Sequence, residues 1–422
     1  MRTPKKSAIR TASAAAHRPA DDEIWPRVTR ELADDLAVDA LVRDRTGTAP
    51  FDEVARLQEA GLPALLTAPG ADGRGADWRT ACGVIREIAA ADGSIGELLA
   101  HHYVLSWTTR FLGPAAGPLD LAVRTAQERW LLAGAVEPPR ADPGPLGLTL
   151  TPAGGGAYVL DGRRAFASGV TVADRLVVGA RCTETGDLLP VLVDPARPAV
   201  RTDPGTERVG QRLAGAGTVT FDRVTVDAAQ VLGALPHDEH AVAPYSTLAP
   251  LALRLLLVHV GLGIAEGALA EARDFSRASQ AAPSPAAGGA GPSGDDPYLL
   301  LAYGELATSA HTAAAVVERA TDVLAHGLLA ERALDVEERA DIAVLVAAAE
   351  TVANRAAVDI TTRILQLVDP ATTLDPHRTG PGFDRFWRNV RALTAPVSPD
   401  HRLRDIGDHY LHGTHARLTL LA

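Results

Sequence analysis

The stretch RRAFASGVTVADRLVVGARCTETGDLLPVLVD, residues 163–194, decides how the chain is read. Apolar and polar residues alternate in it between Gly, Pro and Asp turns, the period of a half-buried sheet. The same period extends outward through LGLTLTP at 146–152 and AYVLDG at 157–162 to GTVTFDRVTV at 217–226. A compact antiparallel sheet or barrel is therefore expected over residues 133–236.

On both sides of that sheet the period lengthens. ELADDLAVDALVRD, FDEVARLQEAG, WRTACGVIREIAAADGSIGELLAHHYVLSWTTRFLG and LDLAVRTAQERWLLAG are helical and broken by Gly or Pro, giving a helical unit at 23–132. From about Leu248 helical spacing returns in long Ala-rich runs suited to close helix packing, giving a bundle at 237–422. Residues 1–22 are basic, then Ala/Ser-rich, without the apolar core of a secretory signal; a disordered tail is expected. Residues 276–297, dense in Ala, Pro, Gly and Ser, read as a flexible loop inside the bundle. A lid over a pocket is the alternative to a plain linker.

Composition narrows the function. The 422 residues carry 46% hydrophobic side chains and a formal charge of -11, enough apolar content for one large core or several. An acidic chain lacks the basic footprint that nucleic acids demand. Cys82 and Cys182 lie a hundred residues apart with no metal-ligand cluster around them, so neither a disulfide framework nor a metal site is indicated, and a reducing cytoplasm is the expected compartment. The run LAPLALRLLLVHVGLGIA at 248–265 is interrupted by Arg254 and His259 and reads as a buried helix rather than a membrane span.

Near the C-terminus, GFDRFWRNVRALTAPVSPDHRLRDI at 382–406 places Phe383, Phe386, Trp387 and Val390 on one helical face, with Arg385, Arg388 and Arg391 on the neighbouring ridge. Such a ridge is either a salt-bridged flank or a set of forks for an anionic cofactor.

Six strings carry a resemblance: IREIAAADGSIGELLAHHYVLS, GGAYVLDGRRAFASG, FDRVTVDAAQVLG, GLGIAEGALAEARDFSR, DDPYLLLAYGEL and GFDRFWRNVRALTAPVSPDHRLRDIG. In this order, from about Asp35 to Gly413, they resemble the acyl-CoA dehydrogenase superfamily and, within it, the flavin-dependent monooxygenase branch related to dibenzothiophene monooxygenase. The resemblance implies a mainly α chain with a central β-domain: N-terminal helices, a middle antiparallel β-domain, a C-terminal four-helix bundle, and a homotetramer built as a dimer of dimers. It implies FMN or FAD, reduced by a separate reductase, and O2-dependent oxygenation of a small metabolite. His102 matches the family histidine near the flavin edge, and Ser168 the serine facing flavin N5. Phe166 would pack near the ring. Arg277 matches an arginine that meets the flavin phosphate across a subunit boundary.

The chain also departs from the pattern. Leu393 and Pro396 stand where relatives carry histidines, Ala214 and Ala216 where hydroxyls are expected, and AVEPP at 135–139 where an asparagine is expected. Arg378 would substitute, at altered spacing, for an arginine before the FWRNVR helix, and Arg388 is a further phosphate candidate. No Glu occupies the following loop, which ranks dehydrogenation of an acyl thioester low. Beside the monooxygenase reading stand two alternatives: a fold that has lost its flavin and runs a non-redox reaction or binds a ligand, and a non-catalytic partner subunit.

Overall fold

The structure is a computed structural model, and it describes residues 24–67, 75–113, 121–137, 147–205, 208–238, 241–281, 297–368, 381–395 and 399–413. Six helices lead: α1 (Ile24–Thr46), α2 (Phe51–Glu59), α3 (Trp78–Ala91), α4 (Gly93–Ser106), α5 (Thr108–Leu112) and α6 (Leu121–Glu128). Asp92 separates α3 from α4 and caps the second helix, accepting from the Ser94 and Ile95 amides. Helix α4 is buried on nearly every side, as its apolar sequence requires of a helix in the middle of a core. It lies between the sheet and the C-terminal bundle.

The sheet has seven strands, β1 (Leu132–Ala135), β2 (Thr149–Pro152), β3 (Tyr158–Phe166), β4 (Arg175–Cys182), β5 (Leu188–Val193), β6 (Val200–Asp203) and β7 (Gly217–Val226). Their order is β1-β4-β2-β3-β7-β6, with β5 also paired to β4. The expected antiparallel sheet is in fact mixed. β1 and β2 both run parallel to β4, while the other pairs are antiparallel. Hairpins can join only antiparallel neighbours, and neither β1 nor β2 is consecutive with β4. Alternation along the strands could not disclose this, because it reports faces and not neighbours.

Three long helices and two shorter ones follow: α7 (Leu248–Ala281), α8 (Pro297–Ala330), α9 (Val336–Val368), α10 (Asp384–Thr394) and α11 (Pro399–His412). α7 is the one helix among the described residues long and apolar enough to cross a membrane by composition; it is enclosed by α3, α8, α9 and α10. Its backbone touches that of α3 directly. A Cβ on Gly263 or Gly267 would stand 2.3 Å from the Arg86 carbonyl or 2.0 Å from that of Ala90. The first residues of the expected 276–297 loop continue α7 to Ala281, and 282–296 lie outside the described residues. On either side of them α7 and α8 stay packed together.

Candidate functional site

The sheet, α4 and α10 converge where β3 ends in Phe166-Ala167-Ser168-Gly169. Gly169 takes a left-handed φ of +78°, which turns the chain back. The turn is then sewn to the loop at 208–216: the Gly169 amide donates to the Ala214 carbonyl at 2.7 Å, the Thr171 amide to Gly215 at 3.2 Å, and Ser168 Oγ to the Ala214 carbonyl at 3.2 Å. Ser168 and Phe166 are both buried. Beneath Phe166, the Arg164 guanidinium lies 5.1 Å from the ring centroid and donates to the Ala135 and Glu137 carbonyls. Burial lowers its pKa to about 10.

Helix α10 holds the 208–216 loop from the other side. Asn389 Oδ1 accepts from the Gln211 amide at 2.7 Å. Arg388 donates to the Val209 carbonyl at 2.9 Å and to the carboxylates of Asp384 at 2.9 Å and Asp44 at 2.5 Å. These bonds join α1, the β-domain and α10 through one side chain. Arg388 is committed to carboxylates and a carbonyl, so the phosphate role weighed for it is not the one its contacts serve. Arg385 likewise reaches Glu271 on α7 at 2.5 Å and stacks on Phe386. The Phe/Trp/Arg helix is thus an interdomain bolt.

His102 differs from expectation too. It is fully buried, with Nε2 2.9 Å from the Pro63 carbonyl and Nδ1 accepting from the Leu132 amide at 3.0 Å. Both ring nitrogens are spent on backbone, which leaves neither for a proton relay. Burial lowers its pKa to about 4. The ring ties α4 to the entry of β1, a physical use that a motif match cannot distinguish from chemistry. Arg277 is exposed on the last turns of α7, and Arg378 and Pro396 lie outside the described residues.

The structure brings forward groups that pattern reading passed over. Gln211, at φ +53° and wholly buried, has no hydrogen-bond partner for Oε1 or Nε2 among the described residues. Its amide lies against Gly93, whose added Cβ would be 3.6 Å from Nε2. One turn along α4, Glu97 is buried with Oε2 unpartnered; Thr171 Oγ1 is unpartnered as well. Arg208 leans over the same corner and donates to the Ala167 and Gln211 carbonyls at 3.0 and 3.4 Å. Beside it opens a cavity of about 450 Å³ lined by Thr46, Thr171, Thr202, Arg208 and Arg212, among others. Of the three unpartnered side chains only Thr171 lines that cavity. The Gln211 amide and Glu97 Oε2 lie buried behind it at the contact of the loop with α4, and buried polar atoms without partners are rare enough in folded proteins to mark a place able to meet a polar ligand edge. In the sequence, the signal for Glu97 was a single carboxylate in the otherwise apolar run SIGELLA. Gln211 carried none beyond its place after a glycine.

Comparison with known proteins places the chain among named relatives. Residues 255–397 match the family model described as acyl-CoA dehydrogenase, C-terminal domain. Dibenzothiophene monooxygenase of Rhodococcus qingshengii is 32% identical over 97% of this chain and 97% of its own length. A Pseudomonas putida protein named "Probable FMNH2-dependent monooxygenase SfnC" is 29% identical over 91% of this chain and 94% of its own. Among solved structures, FMN-bound TdsC from Paenibacillus sp. A11-2 superposes with a TM-score of 0.84 at 30% identity, covering 94% of this chain and 100% of that one.

Proposed function

Because this chain belongs to the dibenzothiophene monooxygenase family, within the acyl-CoA dehydrogenase superfamily, we propose that it is a two-component flavin monooxygenase. It takes reduced FMN from a separate reductase and oxygenates a small molecule. The observation that carries the reading is the junction of the Phe166–Gly169 turn, the 208–216 loop and α4, where among the described residues the Gln211 amide and Thr171 Oγ1 keep buried polar atoms without partners, Thr171 at the wall of the neighbouring cavity. The donor and acceptor of one amide fit the alternating carbonyls and imide of a flavin pyrimidine edge. That compensates for the hydroxyls lost at Ala214 and Ala216.

Bound reduced FMN would supply the two electrons with which O2 is activated for transfer of one oxygen atom to the substrate. The chain's part is to hold and shield. Gln211 would take the pyrimidine edge and Phe166 the ring face. Ser168 Oγ, released from the Ala214 carbonyl, would turn to the ring's central nitrogen. Burial of Phe166, Ser168 and Gly169 in the turn would keep water from the reacting atoms. Arg388 and Asn389 act at a distance by fixing the loop that carries Gln211.

We further place the protein in the cytoplasm as a homotetramer, in which Arg277 of one subunit reaches the phosphate held by another. Tyr298, Leu300 and Leu301 are exposed on α8 and support such an assembly. Light scattering on the eluting protein reports the oligomer. FMN titrated into purified protein should lose fluorescence on binding, and a reductase with a reductant should then drive O2-dependent product formation. Unquenched FMN at a large excess of protein would overturn the reading.

A further inference from the structure

Five acidic residues are buried among the described residues: Asp44, Glu53, Asp92, Glu97 and Glu350. Four of them have an arginine. Asp44 meets Arg388 at 2.5 Å, Glu53 and Asp92 meet Arg43 at 3.4 and 3.0 Å, and Glu350 meets Arg254 at 2.5 Å and Arg402 at 3.0 Å. Glu97 does not. The charged group facing it is Arg208, whose guanidinium is bonded to the Ala167 and Gln211 carbonyls, and the titratable group beside it is His101. A carboxyl buried without a partner costs stability, and a fold that pairs its other buried acids has had the means to pair this one.

We infer that Glu97, coupled to solvent through His101, is the residue that holds and delivers a proton at the junction of α4 with the 208–216 loop. The inference rests on the monooxygenase reading for the reaction it serves. It rests on geometry for the residue. Glu97 Oε2 is buried and unpartnered, on the same loop-facing side of α4 as Gly93, against which the free Gln211 amide is packed. Oε1 lies 4.0 Å from His101 Nε2, and the His101 side chain is 14% exposed, a route outward. His102, the histidine one would choose from sequence, has both nitrogens bonded to backbone.

The electrostatics are consistent with the role. Burial raises the Glu97 carboxyl to about 7 and lowers His101 to about 4. Below about pH 7 the proton therefore sits on the carboxyl, and above about pH 4 the imidazole is neutral, with one donor and one acceptor to pass a proton along. One atom of O2 enters the substrate and, as the O–O bond breaks, the other leaves as water, the reduced flavin supplying two electrons and one of the water's two protons. At the departing oxygen a new O–H bond forms as the Glu97 Oε2–H bond breaks. The carboxylate then regains its proton from solvent by way of His101.

The test has two arms. In flavin-free protein, infrared titration of the carboxyl band should show an acid with a midpoint near 7 that disappears in Glu97→Gln. At saturating FMN, with reductase and substrate, Glu97→Gln should give on the order of a hundredfold less product per reduced flavin consumed. It should also lose the decline in yield that the parent shows above pH 7. Glu97→Asp should recover part of both. A carboxyl titrating in the ordinary carboxylate range, or a Glu97→Gln enzyme with parental yield and pH profile, overturns the inference. FMN that fails to bind the parent protein overturns the monooxygenase reading instead, and the infrared arm still decides whether Glu97 is the raised acid.

Discussion

The bolt at α10 and the unpartnered groups at α4 both meet the 208–216 loop and treat polar groups in opposite ways. At the bolt, Arg388 satisfies two carboxylates and a carbonyl, and Asn389 receives the Gln211 amide. Where α4 meets the loop, the side chains of Gln211, Glu97 and Thr171 keep buried atoms without partners among the described residues. One residue, Gln211, belongs to both: its backbone is fixed and its side chain is left free. The difference teaches that rigidity and reactivity are divided between neighbouring elements, the first giving the second its position. The stability that the unpartnered groups cost is offset by the ion pairs beside them.

The sharpest way to break the comparison is to remove the bolt. Arg388→Ala leaves Asp44 buried without its partner and should cost about 3–5 kcal/mol, read as a lower denaturation midpoint. FMN affinity should fall with it as the loop loosens. If stability falls while FMN affinity stays put, the bolt does not position the cleft.

The next effects come from titration and have opposite signs on the two kinds of buried group. Glu97 sits near 7 when folded against 4.5 for a solvent-exposed glutamate. The folded state therefore holds the proton more tightly. That stability is fully present below about 4.5 and is lost as pH rises through 7, amounting to about 3 kcal/mol. Glu97→Gln should accordingly melt above the parent at pH 8 and converge with it near pH 4.5. The imidazoles of His101, His102 and His259, lowered from 6.5 to about 4, 4 and 3 by burial, behave the other way. The unfolded chain binds those protons first, so stability is lost as pH falls from 6.5 toward 4, by on the order of 3 kcal/mol per ring. His102→Gln should flatten that acid limb in a pH series of thermal melts. An unchanged limb would mean that His102 does not stay neutral in its core position.

The smallest effect expected is that of Ser168→Ala. It removes one hydroxyl that now rests on the Ala214 carbonyl, so FMN affinity should drop about fivefold, near 1 kcal/mol, with little change in melting temperature. A loss of folding instead would make Ser168 part of the turn rather than of the site.

Much of this architecture could be read from residues alone. The switch of period from helix to strand and back located the helices and the sheet, since burial on one face imposes that period. Strand neighbours could not be read, because β1 and β2 reach β4 by long connections that leave no mark on alternation. The GFDRFWRN stretch disclosed its helix and its arginines but not their partners. Asp44 lies 344 positions away in the chain, and its pairing with Arg388 is settled only by folding. His102 was legible as a histidine in the right string and misleading as a chemical group, since the Pro63 carbonyl and Leu132 amide that occupy it come from other elements. Glu97 was written plainly inside an apolar run. What set it apart was that no arginine among the described residues is ion-paired with it, Arg208 facing it while bonded to backbone carbonyls, a property of the packed core alone.

The most direct measurement is a crystal structure of the protein grown with FMN. The account predicts the isoalloxazine between the Phe166–Gly169 turn and α4, with Gln211 Oε1 and Nε2 both within hydrogen-bond distance of its pyrimidine edge. FMN bound elsewhere, or bound there with the Gln211 amide still unpartnered, would contradict it.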